Sequence, residues 1–433
     1  MKSFCIVWLP KTPCRVTLRT DKPMKMRKIN YKILAMLLCL PCVVLGQPSP
    51  TDPVAQCNLG LSYAHGKGVP KNYSEAVTWL RKAADQGNAL AQCNLGNAYH
   101  YGVGVPRNDA EAVAWWQKSA DQGNAVAQCN LGNAHHYGEG VPKDDVEAVR
   151  WWQKSADQGY APAETHLGLA YNLGQGIPRD YTEALKWWHK ASDQGYATAI
   201  YFIGKAYADG EGVLKDKSES ANWYMKAAEQ GNAKAQYAVG IGCQLGDIGP
   251  IDFVSAAKWL RKAADQGNAE AQFQLGIAYS EGKGVPKDND ESIRLLSKAT
   301  QQGSSDAPYF IGKQYDEGEG VPKDERVAAE WYRKSAERGN GMAQFCLGNA
   351  YFMGFGVPMD NVKAYMWLNL SAAPGNKDAE ILRNNTAKNM TPDQIAEAQL
   401  LSKKWKPVAK TASDPHLDVG SLNTDSGPLA STP

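Results

Sequence analysis

Nine glycines, Gly60, Gly96, Gly132, Gly168, Gly204, Gly240, Gly276, Gly312 and Gly348, recur every 36 residues without a single insertion. A fixed period of this size marks an array in which one small unit is copied and each copy packs on its neighbours. The 433-residue length therefore does not count domains. Residues 52–375 read as nine copies of one unit. Composition agrees: 20 Tyr and 13 Trp against 8 Phe point to amphipathic aromatic positions used many times. The 41 Gly follow no Gly-X-Y period, which excludes collagen.

The second unit serves as the specimen. Its first half, from Ala89, predicts a helix, A. Ala91, Leu95 and Tyr99 fall on one face, and Gly96 sits beside them. A glycine is costly inside a helix, so a neighbouring helix is expected to approach too closely for a side chain. Gly102 and Gly104 end the helix, and Pro106 blocks its continuation. The second half predicts helix B, with Ala112, Trp116 and Ser119-Ala120 facing inward and Gly123 closing it. Six units open helix B with Asn or Asp and place Glu three residues later: Asn72/Glu75, Asn108/Glu111, Asp144/Glu147, Asp180/Glu183, Asp216/Glu219 and Asp288/Glu291. That spacing predicts reciprocal capping boxes. A lone hairpin of this kind cannot bury its apolar stripe, whereas stacked hairpins can.

The recurring pattern is Ala-x3-Leu-Gly-x2-Tyr-x2-Gly-x-Gly-Val-Pro-x-Asp-x3-Ala-x2-Trp-x2-Lys-Ala-Ala-x-Gln-Gly. It resembles the Sel-one-like repeat family, relatives of the tetratricopeptide repeat, over residues 52–375. The resemblance implies an all-α fold: a right-handed α/α superhelical solenoid of nine 36-residue helix-turn-helix repeats, used as a protein-interaction scaffold. Local departures stand out. Unit six replaces the Gly-x-Gly-Val-Pro loop with Gly246-Asp-Ile-Gly-Pro250 and the tyrosine with Cys243. Its length is kept, so a distorted loop is expected. Residues 376–406 predict a C-terminal pair of capping helices, the second starting at Thr391-Pro392. Residues 407–433, rich in Ser, Thr, Pro, Asp and Gly, read as a disordered tail.

The N-terminus reads as an address. Lys25, Arg27, Lys28 and Lys32 precede an apolar run from Ile33 to Leu45, and Gly46 offers a small residue before Gln47. The expectation is a bacterial signal peptide at 1–46 and a periplasmic or secreted protein. Met24 or Met26 makes a better start than Met1, so residues 1–23 read as an upstream over-extension. The net charge of +2 hides an asymmetry: residues 1–46 hold nine Lys/Arg and one Asp, leaving the rest at −6. A mildly acidic body argues against nucleic-acid binding, which needs a basic face. No membrane span remains after cleavage, and a monomer is expected.

With Ala89 as position one, positions five, nine and twelve of helix A point away from the core stripe. In the packing the resemblance implies, they line the concave groove. Position five reads Cys57, Cys93, Cys129, Thr165, then Tyr201, Tyr237, Phe273, Tyr309 and Phe345. Early units add Asn94, Asn97, His100 and Tyr101, then Asn130, Asn133, His136 and Tyr137. The groove thus divides into Asn, His and Tyr groups suited to peptide backbones, and an aromatic ladder suited to anchoring a partner. The competing reading is that the rings only fill space between neighbouring A helices.

Reactive chemistry is thinly represented. Cys57, Cys93, Cys129, Cys243 and Cys346 all fall on A helices. Equivalent positions one repeat apart sit near or beyond the bridging limit of about 7 Å, so no structural disulfide is expected. Each early Cys–His pair is seven residues apart, roughly 10 Å along a helix, too far for one zinc ion. No cofactor or metal is expected. His-Glu-x-x-His, Gly-x-Ser-x-Gly and Gly-Lys-Ser/Thr motifs are missing from the sequence. Ser255-Ala-Ala-Lys258 matches the Ser-x-x-Lys of penicillin-recognising enzymes, without its Ser-Asp-Asn or Lys-Thr-Gly companions. The expected function is an exported, non-enzymatic scaffold for a protein or peptide. The alternatives are a periplasmic cell-wall-associated factor that binds or weakly hydrolyses peptidoglycan or β-lactams, and an exported effector that binds host proteins.

Overall fold

The computed structural model describes residues 51–408. The expected signal peptide and start site, and the tail from residue 409 onward, lie outside the described residues. Among the described residues the regular structure is helical, in twenty helices from Pro53–His65 to Pro392–Lys404. They form nine hairpins of helix A and helix B, followed by the pair Lys377–Ala387 and Pro392–Lys404. Through the nine hairpins each helix packs on the one before and the one after it in sequence, which makes the array a solenoid, and both helices of the final pair pack on helix B of unit nine.

The repeated glycine marks the crossing of A and B. A Cβ added at Gly96 would lie 2.5 Å from the indole of Trp116, and one at Gly60 would lie 2.9 Å from the Leu80 side chain. The residues on either side of the crossing are sealed, with Leu80, Leu95 and Leu131 all at 0% exposure. The second loop glycine joins hairpins to each other. Gly104 has φ +74°, and a Cβ there would run into the Tyr73 carbonyl at the start of the preceding helix B. The Trp-x2-Lys spacing also has a cause: Lys118 lies 3.9 Å from the centre of the Trp115 ring, and the contact recurs at Lys154/Trp151 and Lys190/Trp187.

The predicted capping boxes form only by half. Asn108 Oδ1 accepts the Glu111 N–H at 3.1 Å, as expected. The return arm is not made, because the Asn108 N–H is already donated to the Tyr99 carbonyl at 2.9 Å. The same bond closes the loop in the other units, as from Asp144 to His135 at 2.8 Å and from Asp252 to Cys243 at 3.0 Å. Three of the six glutamates turn to cations instead: Glu147 to Arg150 at 3.0 Å, Glu183 to Lys186 at 2.5 Å, Glu291 to Arg294 at 2.5 Å. A complete box forms at Thr391/Gln394, where no upstream carbonyl competes.

Sequence reasoning missed a glutamine ladder along the array. Gln122, at the end of helix B, donates to Gln92 Oε1 in its own unit at 2.7 Å. Gln92 in turn donates to the Ala84 carbonyl of the preceding unit at 3.0 Å. The rung between units recurs from Gln128 to Ala120, Gln236 to Ala228, Gln272 to Ala264 and Gln344 to Ala336. Three units carry Glu164, Ile200 or Pro308 at this position, none of which can donate. At those three joints rings meet instead: His166 on Trp152 at 5.0 Å, Phe202 on Trp188 at 5.2 Å, Phe310 against Phe273 at 5.5 Å.

The unit-six loop is distorted, as expected, and its register is kept. Ile248 folds over Gly242, where a Cβ would come within 2.5 Å of it. At the C-terminus, Trp405 meets Trp367 at 6.2 Å, and the Val408 N–H donates to the Glu337 carbonyl of unit eight at 2.8 Å. The chain thus stays attached two residues past the expected boundary at 406.

The half-made boxes give a direct test. Asn108→Ala should cost about 1 kcal/mol of stability in urea unfolding, whereas Glu111→Ala should cost only a few tenths of a kcal/mol, on the order of a dipole contribution. Equal losses would mean that the return arm does form.

Candidate functional site: the groove positions of the A helices

Position five changes character between units four and five. Cys57, Cys93, Cys129 and Thr165 are sealed, at 1%, 2%, 1% and 0% exposure, so they line no groove. Small side chains here let the neighbouring A helix cover them. Burial pushes the Cys57 thiol up to about 11 and the Cys93 thiol up to about 12. Burial, with Cys93 nearby, pushes Cys129 up as well. The Thr165 hydroxyl donates to the Ala161 carbonyl at 2.8 Å.

From unit five onward the rings are too large to be covered. Tyr201, Tyr237, Phe273, Tyr309 and Phe345 are all half-buried. Tyr201 lies 5.5 Å from Tyr224 and 5.4 Å from Phe202. Tyr309 lies 5.3 Å from Phe310 and 5.9 Å from Tyr332, and Phe273 lies 5.5 Å from Phe310. Tyr237 packs on the cluster around Leu260 and Leu275. The row therefore combines both readings: part of each ring fills space against its hairpin, and part is open to solvent. Burial raises the Tyr237 and Tyr309 phenols above their ordinary value, so both stay neutral hydroxyls.

The early polar group needs correction. Asn94, Asn97 and His100 are buried, at 0%, 4% and 9% exposure, and are not open to a partner. Asn97 Oδ1 accepts from Trp116 Nε1 and from Asn130 Nδ2 of the next unit, both at 2.9 Å. Asn133 accepts from Trp152 Nε1 at 3.0 Å. These amides satisfy the indole N–H groups that the close A–B crossing buries. Asn94 Nδ2 donates to the Leu90 carbonyl at 3.0 Å. His100 Nδ1 pairs with Asp109 at 2.9 Å, and His136 Nδ1 with Asp145 at 2.6 Å. Burial pushes the Asp109 carboxyl up, but hydrogen bonds from Arg107 and His100 outweigh it and hold the group below its ordinary value. Asn130, Asn133, His136 and Tyr137 are half-buried, and Tyr101 is exposed. The face thus keeps a few polar groups early and a continuous aromatic row late.

His166 was not singled out from the sequence. It is buried, stacked on Trp152 within 6° of parallel, and burial, aided by His136, lowers it to about 3. Its position is the one where Phe202 stacks on Trp188 in the next unit, which was the signal available.

Reactive groups do not converge. The Ser255 hydroxyl bonds to Asp252 and holds that carboxyl below its ordinary value, and Lys258 makes no hydrogen bond to Ser255. The five described cysteines are free. Among the described residues no three His, Cys, Asp or Glu side chains gather as a metal set, and no helix is long and apolar enough to cross a membrane.

The Sel1 repeat profile, the Sel-one-like unit, matches residues 53–88, 89–124, 125–160, 161–196, 197–232, 233–268, 269–304, 305–340 and 341–376. The chain belongs to the Sel1 repeat family. It is similar to a Sel1 repeat protein from Oxalobacter formigenes, at 31% identity over 81% of this chain and 99% of that one, with a TM-score of 0.50. It also matches a protective antigen of uropathogenic Escherichia coli with the SLR fold, at 33% identity over 88% of this chain and 89% of that one, with a TM-score of 0.46. No curated protein matches. Sel1 repeat solenoids are in general protein-interaction scaffolds and typically not enzymes.

The buried imidazole makes stability depend on pH. Its value in the folded chain lies below the ordinary 6.5, so the unfolded chain takes up the proton more readily. The stability it contributes is present above pH 6.5 and is lost as pH falls toward 3. His166→Phe should flatten the fall of the urea midpoint across that window.

Proposed function

We propose that this Sel1 repeat protein is an exported, non-enzymatic scaffold that binds a protein or peptide in the concave groove lined by its A helices. The observation that carries the reading is the change at position five: sealed in units one to four, half-open and aromatic in five consecutive units after that. Aromatic side chains held rigidly by one face anchor partners at little entropic cost. Tyr201, Tyr237, Phe273, Tyr309 and Phe345 form the main contact row. Tyr101 and Tyr137, with the accessible parts of Asn130, Asn133 and His136, extend it. The basic segment and apolar run before Gln47 support export to a bacterial periplasm or beyond.

The cell-wall alternative would need Ser255 to act as a nucleophile with Lys258 as its base. The hydroxyl's bond to the Asp252 carboxylate argues against that use. Turnover of a chromogenic β-lactam that disappears in Ser255→Ala would support the alternative over the scaffold.

Affinity capture from the native envelope should recover a partner with the wild-type chain. With Tyr237→Ala/Tyr309→Ala, recovery should fall at least about tenfold, the scale of losing two aromatic anchors. Circular dichroism should show the helices intact. Undiminished capture by the folded double variant would remove the row from the interface.

A further inference from the structure

A cleft of about 610 Å³ opens between helix B of unit six, Phe253–Asp265, and the loop of unit seven. Val254, Ser255, Lys258 and Trp259 form one wall and Val285 the other. Its size is that of pockets that take an anchoring side chain or a small ligand, about 300–1,000 Å³. The cleft lies where unit six departs most from its siblings. Ile251, Phe253, Val254 and Ser255 stand where unit four has Arg179, Tyr181, Thr182 and Glu183. Ile251 and Val254 are consequently apolar and open, at 60% and 53% exposure.

The same departure leaves a charge without its partner. In units three, four and seven the cation at the Lys258 position pairs with the glutamate three residues earlier: Arg150 with Glu147, Lys186 with Glu183, Arg294 with Glu291. In unit six that glutamate is Ser255, and among the described residues Lys258 forms no ion pair. Its neighbours are already engaged. Arg261 is held by Glu291 at 2.7 Å, and Lys262 lies over the Trp259 ring at 3.9 Å. An apolar cleft thus carries on its rim one cation with no ion pair of its own, its charge felt only through space by the Asp252 carboxylate.

We propose that this cleft docks a short peptide segment of a partner protein in which an apolar side chain stands next to a carboxylate. The apolar side chain enters between Val254, Trp259 and Val285. The carboxylate pairs with Lys258 and replaces the glutamate that units three, four and seven supply from within. This is a second contact surface, on helix B, and it stands independently of the aromatic row on the A helices.

Fluorescence polarisation with the full chain tests it. The probes are labelled Leu-Phe-Glu-Leu-Asp and its neutral counterpart Leu-Phe-Gln-Leu-Asn. The acidic peptide should bind saturably and about tenfold more tightly than the neutral one, as for a charge-assisted contact. Ser255→Glu restores the internal partner found in the sibling units, so it should fold normally and weaken the acidic peptide about tenfold. Lys258→Gln should do the same, and Tyr309→Ala/Phe345→Ala should leave the affinity unchanged. Equal affinity for the two peptides, no saturable binding, or full affinity in a folded Ser255→Glu chain would overturn the proposal. So would binding lost only in the Tyr309→Ala/Phe345→Ala variant, or a Lys258-dependent affinity confined to phosphatidylglycerol vesicles.

Discussion

The contact on which this molecule depends is the crossing of helix A and helix B at the repeated glycine. Nine times over, a Leu, Trp or Tyr of helix B lies flat on a backbone with no Cβ, at a separation no other residue would allow. This proximity makes each hairpin thin and places its large side chains against backbone. It also buries polar parts of those side chains, and the surrounding sequence answers that cost. Where the group is Trp116 or Trp152, the amide of Asn97 or Asn133 takes the indole N–H; where it is Tyr332, Asp316 takes the hydroxyl at 3.1 Å.

That arrangement explains which parts of the architecture were readable from the chain alone. The period, the helix boundaries and the role of Gly96 follow from residue types whose backbone preferences are strong, so they survive translation into three dimensions. The face assignment was less secure. A helical wheel places Asn97 opposite Leu95, yet the amide is drawn inward because Trp116 reaches across the crossing to it. Likewise, Cys93 shares its position with Tyr237, and only its size lets the next helix close over it. The glutamates of helix B show the same limit. Their spacing fits a cap, but the N–H they would accept is spent on a carbonyl in the last turns of helix A that no local pattern reveals.

The two surfaces differ in origin. The aromatic row arises because five units share a residue class at one position, so it is extended and periodic. The unit-six cleft arises because one unit abandons the shared pattern in its loop and first turn, so it is local. An array of near-identical units supplies both kinds: consensus positions make long faces, and exceptions make single sites.

The joints between units come in two chemistries, and this divides the array mechanically. A glutamine bonded to a carbonyl tolerates little rotation, because hydrogen bonds weaken steeply off axis. A pair of rings tolerates sliding and tilting across several favourable geometries. Units one to three and five to seven are therefore stiff blocks, while unit four is flanked by ring-mediated joints on both sides and the seven–eight joint forms another. Unit four is thus set off from both neighbours by stacked rings, with the Asn172 amide reaching Glu211 of unit five at 2.8 Å alongside them at its C-terminal joint.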